Sequence, residues 1–261
     1  DPESNMPFCL CWANENWTRR WDGADHQLLM EQKYLPEDDL NFIKSLIPFF
    51  QDSRYLRVDG KPFLIVYRPQ QMPDSRRSLA VWRDYCREVG IGEVHLCAAL
   101  THRNEDYEEF PPHNLKGPNI NHLVPFSVPF SGNVFQYADV AASYLNQDYG
   151  DGHVFKTVFP SWDNTARTNN RALVVLNGTP DNYESWLAST IDCVKSSARD
   201  ELVFVNAWNE WAEGCHLEPD RRYGRAFLEA TLRAKNGVRR FAFGEFPDRA
   251  DPWTGNGSER S

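Results

Sequence analysis

Val205–Asp220 reads VNAWNEWAEGCHLEPD and completes an apolar run, LVFVNAW, that begins at Leu202. The run has the length and β-branched, aromatic character of a buried strand. It breaks into a segment holding Trp208, Asn209, Glu210, Trp211 and Glu213, with Glu218 just before Pro219. Glu210 and Glu213 lie three residues apart where the strand should stop. Paired acids between indoles suit a site that makes or breaks glycosidic bonds: one carboxyl moves a proton, the other answers developing positive charge. The competing reading is a strand-to-helix turn whose acids favour the next helix N-terminus. Retention needs carboxyls about 5–5.5 Å apart and inversion about 6.5–9.5 Å. Acids at i and i+3 fit the shorter range if the chain turns helically there. Glu15 paired with Glu210 is the alternative couple.

Outward from this stretch, apolar strands alternate with amphipathic helices. Strands are expected at 6–13, 61–68, 93–100, briefly around Tyr107, at 156–160 and at 202–208. Helices are expected from Pro36 through Phe50, over Leu79–Val89 with Gly90 as the stop, weakly at 136–147, from Thr179 through Val194, and over Asp220–Lys235. A long polar loop should follow the first strand, and another should cover 111–133. Such alternation predicts a parallel sheet with helical crossovers. Polar and aromatic residues gather just after the strands, as they do on the active face of a (β/α)₈ TIM-barrel. With about six strands counted against the eight required, two are expected to lie before Asp1. The barrel domain is placed at 1–236, and a polar tail or linker at 237–261.

Composition narrows the function classes. The 261 residues carry a net charge of −9, which disfavours a nucleic-acid partner, since that needs a concentrated basic face. An oligosaccharide or polysaccharide fits better. No apolar run reaches about 18 residues, so no membrane span is expected. The abrupt start suggests a chain fused to further domains. The six cysteines lack C-x-x-C spacing; Cys86 and Cys193 fall on expected apolar helix faces. They read as small hydrophobes of a reducing, cytoplasmic setting rather than a disulfide frame or zinc site, with an exported or envelope-associated protein as the alternative. Histidines and acids show no metal-ligand spacing, so neither a metal nor a cofactor is expected. Glycine-rich nucleotide motifs and a G-x-S-x-G elbow do not occur.

Six of the nine tryptophans, at 12, 17, 21, 162, 208 and 211, fall in post-strand segments. There an indole face could stack on a sugar ring, or simply pack. The candidate sugar-binding set is Trp12, Asn14, Glu15, Trp17, Arg68, Glu109, His113, Trp162, Asp163, Asn164, Trp208, Asn209, Trp211 and Glu218. Glu15 could equally be a loop acid pairing with Arg19 or Arg20, and Asp163-Asn164 an Asx-type turn.

Five motifs in order, PFCLCWANENWTRRWDG, VDGKPFLIVYRP, EFPPH, PSWDNTAR and NAWNEWAEGCHLEPDRRYGRAFLEA, resemble the glycoside hydrolase family 99-like, or WbsX-type, domain. The resemblance runs from Met6 to about Lys235 and implies strands three to eight of a (β/α)₈ barrel. It implies a metal-independent, retaining enzyme acting on mannose-type units of a surface polysaccharide or O-antigen. Glu210 would take the proton of the sugar's own 2-hydroxyl, and Glu213 would serve the glycosidic oxygen. Ala212 stands where the hydrolases carry His, which opens the identity of the sugar and of the reaction. A sugar-nucleotide-dependent glycosyltransferase and a non-catalytic sugar-binding module remain the alternatives.

Overall fold

The computed structural model describes residues 4–19, 24–99, 129–147, 154–196 and 202–238. Two compact units divide the chain, residues 1–115 and 116–261.

The first unit runs β1 (Leu10–Trp12), β2 (Trp17–Arg19), β3 (Ala24–Met30), α1 (Asp38–Phe50), β4 (Arg57–Val58), β5 (Lys61–Val66), α2 (Ser75–Glu88) and β6 (His95–Ala98). β5 is central: β1 and β6 flank it in parallel, and β4 pairs antiparallel to it. Parallel neighbours require a crossover, and α1 and α2 supply them. Ile43, Leu46 and Phe50 recur at helical spacing on α1 and are buried with Leu64, Val66, Trp82 and Cys86. Asp38 and Asp39 occupy the first turn of α1, where carboxylates meet the positive end of the helix dipole. Asp74 caps α2 by accepting from the Arg77 N–H at 3.0 Å. Past its end Gly90 takes φ 81°, the left-handed value that glycine adopts without penalty.

The second unit runs β7 (Asn133–Gln136), α3 (Tyr137–Asn146), β8 (Lys156–Val158), β9 (Trp162–Asp163), α4 (Thr165–Thr168), β10 (Leu173–Leu176), α5 (Pro180–Lys195), β11 (Val203–Val205), β12 (Asn209–Glu210), β13 (Cys215–His216) and α6 (Ala226–Lys235). β7 pairs with β10 and β8 with β11, both in parallel; β9 joins β10 antiparallel. Thr179 caps α5, and Pro180 sits where its missing N–H costs nothing. Trp186 on α5 meets Tyr137, Tyr144 and Phe159 edge-on at 5.0–5.5 Å, the arrangement ring quadrupoles prefer. α6 closes on α5 through Phe227 against Tyr183 and an Arg233–Glu184 ion pair at 2.7 Å.

The protein is thus mixed α/β with parallel pairing. Among the described residues the strands form several small sheets, not one closed ring. Eight strands escape the sequence reading, β2, β3, β4, β7, β9, β10, β12 and β13, of which β7 and β10 pair in parallel with each other. Part of the expected polar loop is a hairpin, β2 against β3, in which Leu28, Leu29 and Met30 are all exposed. The last helix starts at Ala226 rather than Asp220, because 215–224 forms a strand and turns first. Cys193 is exposed, not on the inner face of α5, and Cys11 is exposed as well. The expected strand near Tyr107 and most of the tail lie outside the described residues. No helix among those residues is long and apolar enough to cross a membrane.

Candidate active site

The segment after β11 folds as a minimal hairpin. Asn209 pairs with His216 and Glu210 with Cys215, and between them Trp211–Glu213 makes one 3₁₀ turn. With three residues per 3₁₀ turn, positions i and i+3 fall on one side, which is why Glu210 and Glu213 converge. Gly214 leaves the turn at φ 57°. A side chain there would meet Asp163 at 3.1–3.3 Å, so the glycine lets two backbones touch. Ser161 Oγ adds a hydrogen bond to the Gly214 carbonyl at 2.5 Å.

That contact brings Arg167, on α4, to the acids. Its Nη1 donates to Glu213 Oε1 at 2.9 Å and its Nη2 to Glu210 Oε1 at 2.8 Å. One planar fork therefore joins two carboxylates, charge-assisted on both prongs. The three side chains stay partly open to solvent: 26% for Arg167, 38% for Glu210 and 18% for Glu213. The turn that carries Arg167 is locked from behind. Asn164 is buried; its Oδ1 accepts from the Leu173 N–H at 2.7 Å and from Thr168 Oγ1 at 3.1 Å. Asp163 Oδ1 accepts from the Thr165 N–H at 2.9 Å, the Asx turn weighed from sequence.

Beside the acids stands a held indole. Trp211 is half exposed, with one face on the His216 ring at 3.6 Å and 18°. Its Nε1–H donates to Glu218 Oε2 at 2.6 Å. His216 Nε2 lies 3.2 Å from Asp220 Oδ2, and Asp220 Oδ1 accepts from the Arg222 and Tyr223 N–H groups. The imidazole backs the indole, and the carboxylates fix both rings. Cys215 is buried beneath the hairpin, with its thiol donating to the Asn206 carbonyl at 2.7 Å. Burial first, and then the Glu213 charge, pushes that thiol far up, so it is no nucleophile.

The expected sugar-binding residues divide. Glu210, Glu213, Trp211 and Glu218 come together, with Asn209 and Trp208 exposed alongside. Trp162 is buried against Phe159, and Asn164 is spent on its turn, so neither stands open to a ligand. In the first unit Asn14 is fully buried: its amide donates to the Arg68 carbonyl and Tyr34 Oη, and its Oδ1 accepts from the Arg68 N–H. Arg68, also fully buried, bonds Glu15 Oε2 at 3.0 Å and lies over the Tyr67 ring. Glu15 thus meets Arg68, a partner the sequence reading did not weigh. Trp12 packs at 4.3 Å against Phe42 and 5.8 Å from Trp82, and Trp17 is exposed on the β2–β3 hairpin. Glu109 and His113 lie outside the described residues, as do Arg20 and Trp21. Arg167, His216 and Asp220 are the residues that sequence reasoning missed. Arg167 sits inside PSWDNTAR, where the acids drew attention and the cation did not. Among the described residues no three His, Cys, Asp or Glu side chains group as metal ligands would.

The chain resembles two curated relatives, both described as "Uncharacterized protein WxcX" and both from Xanthomonas campestris pv. campestris. One, from strain B100, is 39% identical over 245 residues, and the other, from a second strain, 38%. Each alignment covers 90% of this chain and 35% of the relative, so the chain spans about a third of their length. A solved structure described as "Glycoside hydrolase-like protein" superposes with TM-score 0.52 at 14% identity, over 79% of this chain and 63% of that one, which shows a shared fold. The family described as "Glycosyltransferase WbsX" matches residues 1–231, and to that family the chain belongs.

Proposed function

We propose that this domain is the catalytic part of a metal-independent, glycoside hydrolase-like enzyme that cleaves or transfers a mannose-type unit of a surface polysaccharide. The observation that carries this is the convergence of Glu210 and Glu213 on one guanidinium beside an open indole. Glu210 takes the proton of the sugar 2-hydroxyl while that oxygen attacks C1, and Glu213 protonates the departing glycosidic oxygen. Water then opens the strained ring at C1, giving its proton to Glu213 while Glu210 returns its own to O2. Two inversions give net retention. The parallel strands and the structural likeness support a (β/α)₈ barrel in the longer protein.

The test uses the full-length protein and α-mannosyl oligosaccharides, with new reducing ends and anomeric configuration followed by NMR. Glu213→Gln and Glu210→Gln should each lower kcat by about 10²–10⁴-fold while sugar binding persists. Full activity in either variant would remove that acid from the chemistry. The family description supports a second reading, transfer from a sugar nucleotide. Release of free nucleotide coupled to sugar transfer would establish that reading instead.

A further inference from the structure

Arg167 differs from a staple arginine in what it touches. Among the described residues its guanidinium has two hydrogen-bond partners, the Oε1 atoms of Glu210 and Glu213, while its buried Nε–H has none. Arg54 and Arg57, which tie the first unit together, also reach backbone carbonyls, of Ser4 and of Phe50 and Gly60. Arg167 gives its fork wholly to the two acids, each prong to a different carboxyl.

We propose that Arg167 is a positioning residue, the shared counter-ion of the two acids, across which their single negative charge changes sides during turnover. The inference rests on the two-carboxylate reading above. In that chemistry the pair always holds one proton. At the start Glu213 carries it and Glu210 is the carboxylate. As the 2-hydroxyl proton reaches Glu210 and the leaving oxygen takes the one from Glu213, the charge passes from 210 to 213. The second step reverses this, with the water proton going to Glu213 and the Glu210 proton returning to O2. The Oε1 atoms remain acceptors in either protonation state, so the proton travels on Oε2. Arg167 then faces one negative charge throughout and keeps both hydrogen bonds. A cation bonded to one acid alone would stabilise only one end of the transfer. A preorganised charge of this kind acts without reorganisation at the moment of reaction.

The experiment uses the full-length protein. Arg167→Gln should lower kcat on an α-mannosyl oligosaccharide by about 100-fold with KM little changed. Arg167→Lys, which keeps the charge but loses the fork, should fall between wild type and Gln, and guanidinium salt should restore part of the Gln variant's rate. In an E213Q background Arg167→Gln should cost much less than in the wild type, since no charge then changes sides between the two acids. A loss carried by KM, or losses that multiply in full, would overturn the proposal. Thermal unfolding at low salt reads the same electrostatics without substrate. Arg167→Gln leaves the pair's one negative charge, on Glu210, without its counter-ion and should lower Tm by about 3 °C, and E210Q added to it should restore most of that. An unchanged Tm, or one the second substitution does not recover, also overturns it. A wild type inactive on every glycan sinks the enzymatic reading and the hand-over with it; the thermal arm then reports whether the counter-ion itself is real.

Discussion

Each unit of the molecule sets an arginine against carboxylate, and the two arrangements have opposite characters. In the first, Arg68 has no exposed surface, and its backbone N–H and carbonyl are both bonded by the buried Asn14 amide. Asn14 follows β1 and Arg68 follows β5, so the assembly ties together the ends of adjacent parallel strands. In the second, Arg167 stays a quarter exposed and bonds side-chain oxygens on a hairpin 43–46 residues away. Burial makes the first a matter of folding, because a desolvated cation must keep its partners. Partial exposure leaves the second able to exchange protons with a ligand and with water.

Replacing Arg68 should therefore produce the largest loss of stability. Arg68→Met removes the buried cation and its bond to Glu15, at about 3 kcal/mol, the low end for a broken buried pair because Glu15 is itself partly solvated. Urea denaturation of Arg68→Met beside Arg167→Met measures the contrast. Equal losses in the two would erase the distinction between them.

The paired asparagines sharpen it further. Asn14→Ala should cost about 2 kcal/mol, since three hydrogen bonds in a fully buried place lose their partner. Asn164→Ala, which frees the Leu173 N–H and Thr168, should cost somewhat less, about 1–2 kcal/mol. Only the second should also lower kcat, because the turn that aims Arg167 loosens. Gly214→Ala belongs with it: the left-handed residue costs about 1–2 kcal/mol with any side chain, and its methyl would press on Asp163 at 3.1–3.3 Å. A fall in turnover larger than the fall in stability is the expected pattern at both sites. Loss of stability alone would mean that the turn does not aim the arginine.

What could be read from sequence follows the range of the interaction. The helix over 38–50 was legible because Ile43, Leu46 and Phe50 repeat at 3–4 residue spacing behind two first-turn acids. β10, LVVL, was not, since four apolar residues between a polar turn and Asn177 carry no period, and only β7 and β9 beside them make a strand. The β2–β3 hairpin hid for another reason: its apolar residues are exposed and follow one another, without the alternation that marks a half-buried strand. At the site, Glu210 and Glu213 were legible because a short turn joins them. Arg167 reaches them only through the close approach of Gly214 to Asp163, a tertiary contact that no local pattern announces. The tryptophans teach the same lesson from the other side. Trp12 ends β1 and Trp211 follows β12, yet Trp12 packs beside Phe42 and Trp82, while Trp211 stands out beside the acids.

The indole at 211 gives the smallest of the expected effects on stability. Trp211 is exposed on one face but held on the other by His216, with its N–H fixed by Glu218, so little ordering entropy is lost when a sugar ring settles on it. Trp211→Ala should weaken binding of an α-mannosyl oligosaccharide by about tenfold, or about 1.4 kcal/mol, and leave the unfolding midpoint nearly unchanged. His216→Ala removes the backing ring without touching the exposed face, and should weaken binding by a smaller factor because the indole must now be ordered on association. Trp12→Ala should do the reverse: the half-buried indole leaves Tyr34, Phe42 and Trp82, at about 2 kcal/mol of stability, less than a fully buried ring would cost. Isothermal titration on the two tryptophan variants, read beside their unfolding curves, separates an indole that packs from one that receives. If Trp211→Ala binds the sugar as wild type does, the open ring serves something other than the polysaccharide, and the acids would have to select it alone.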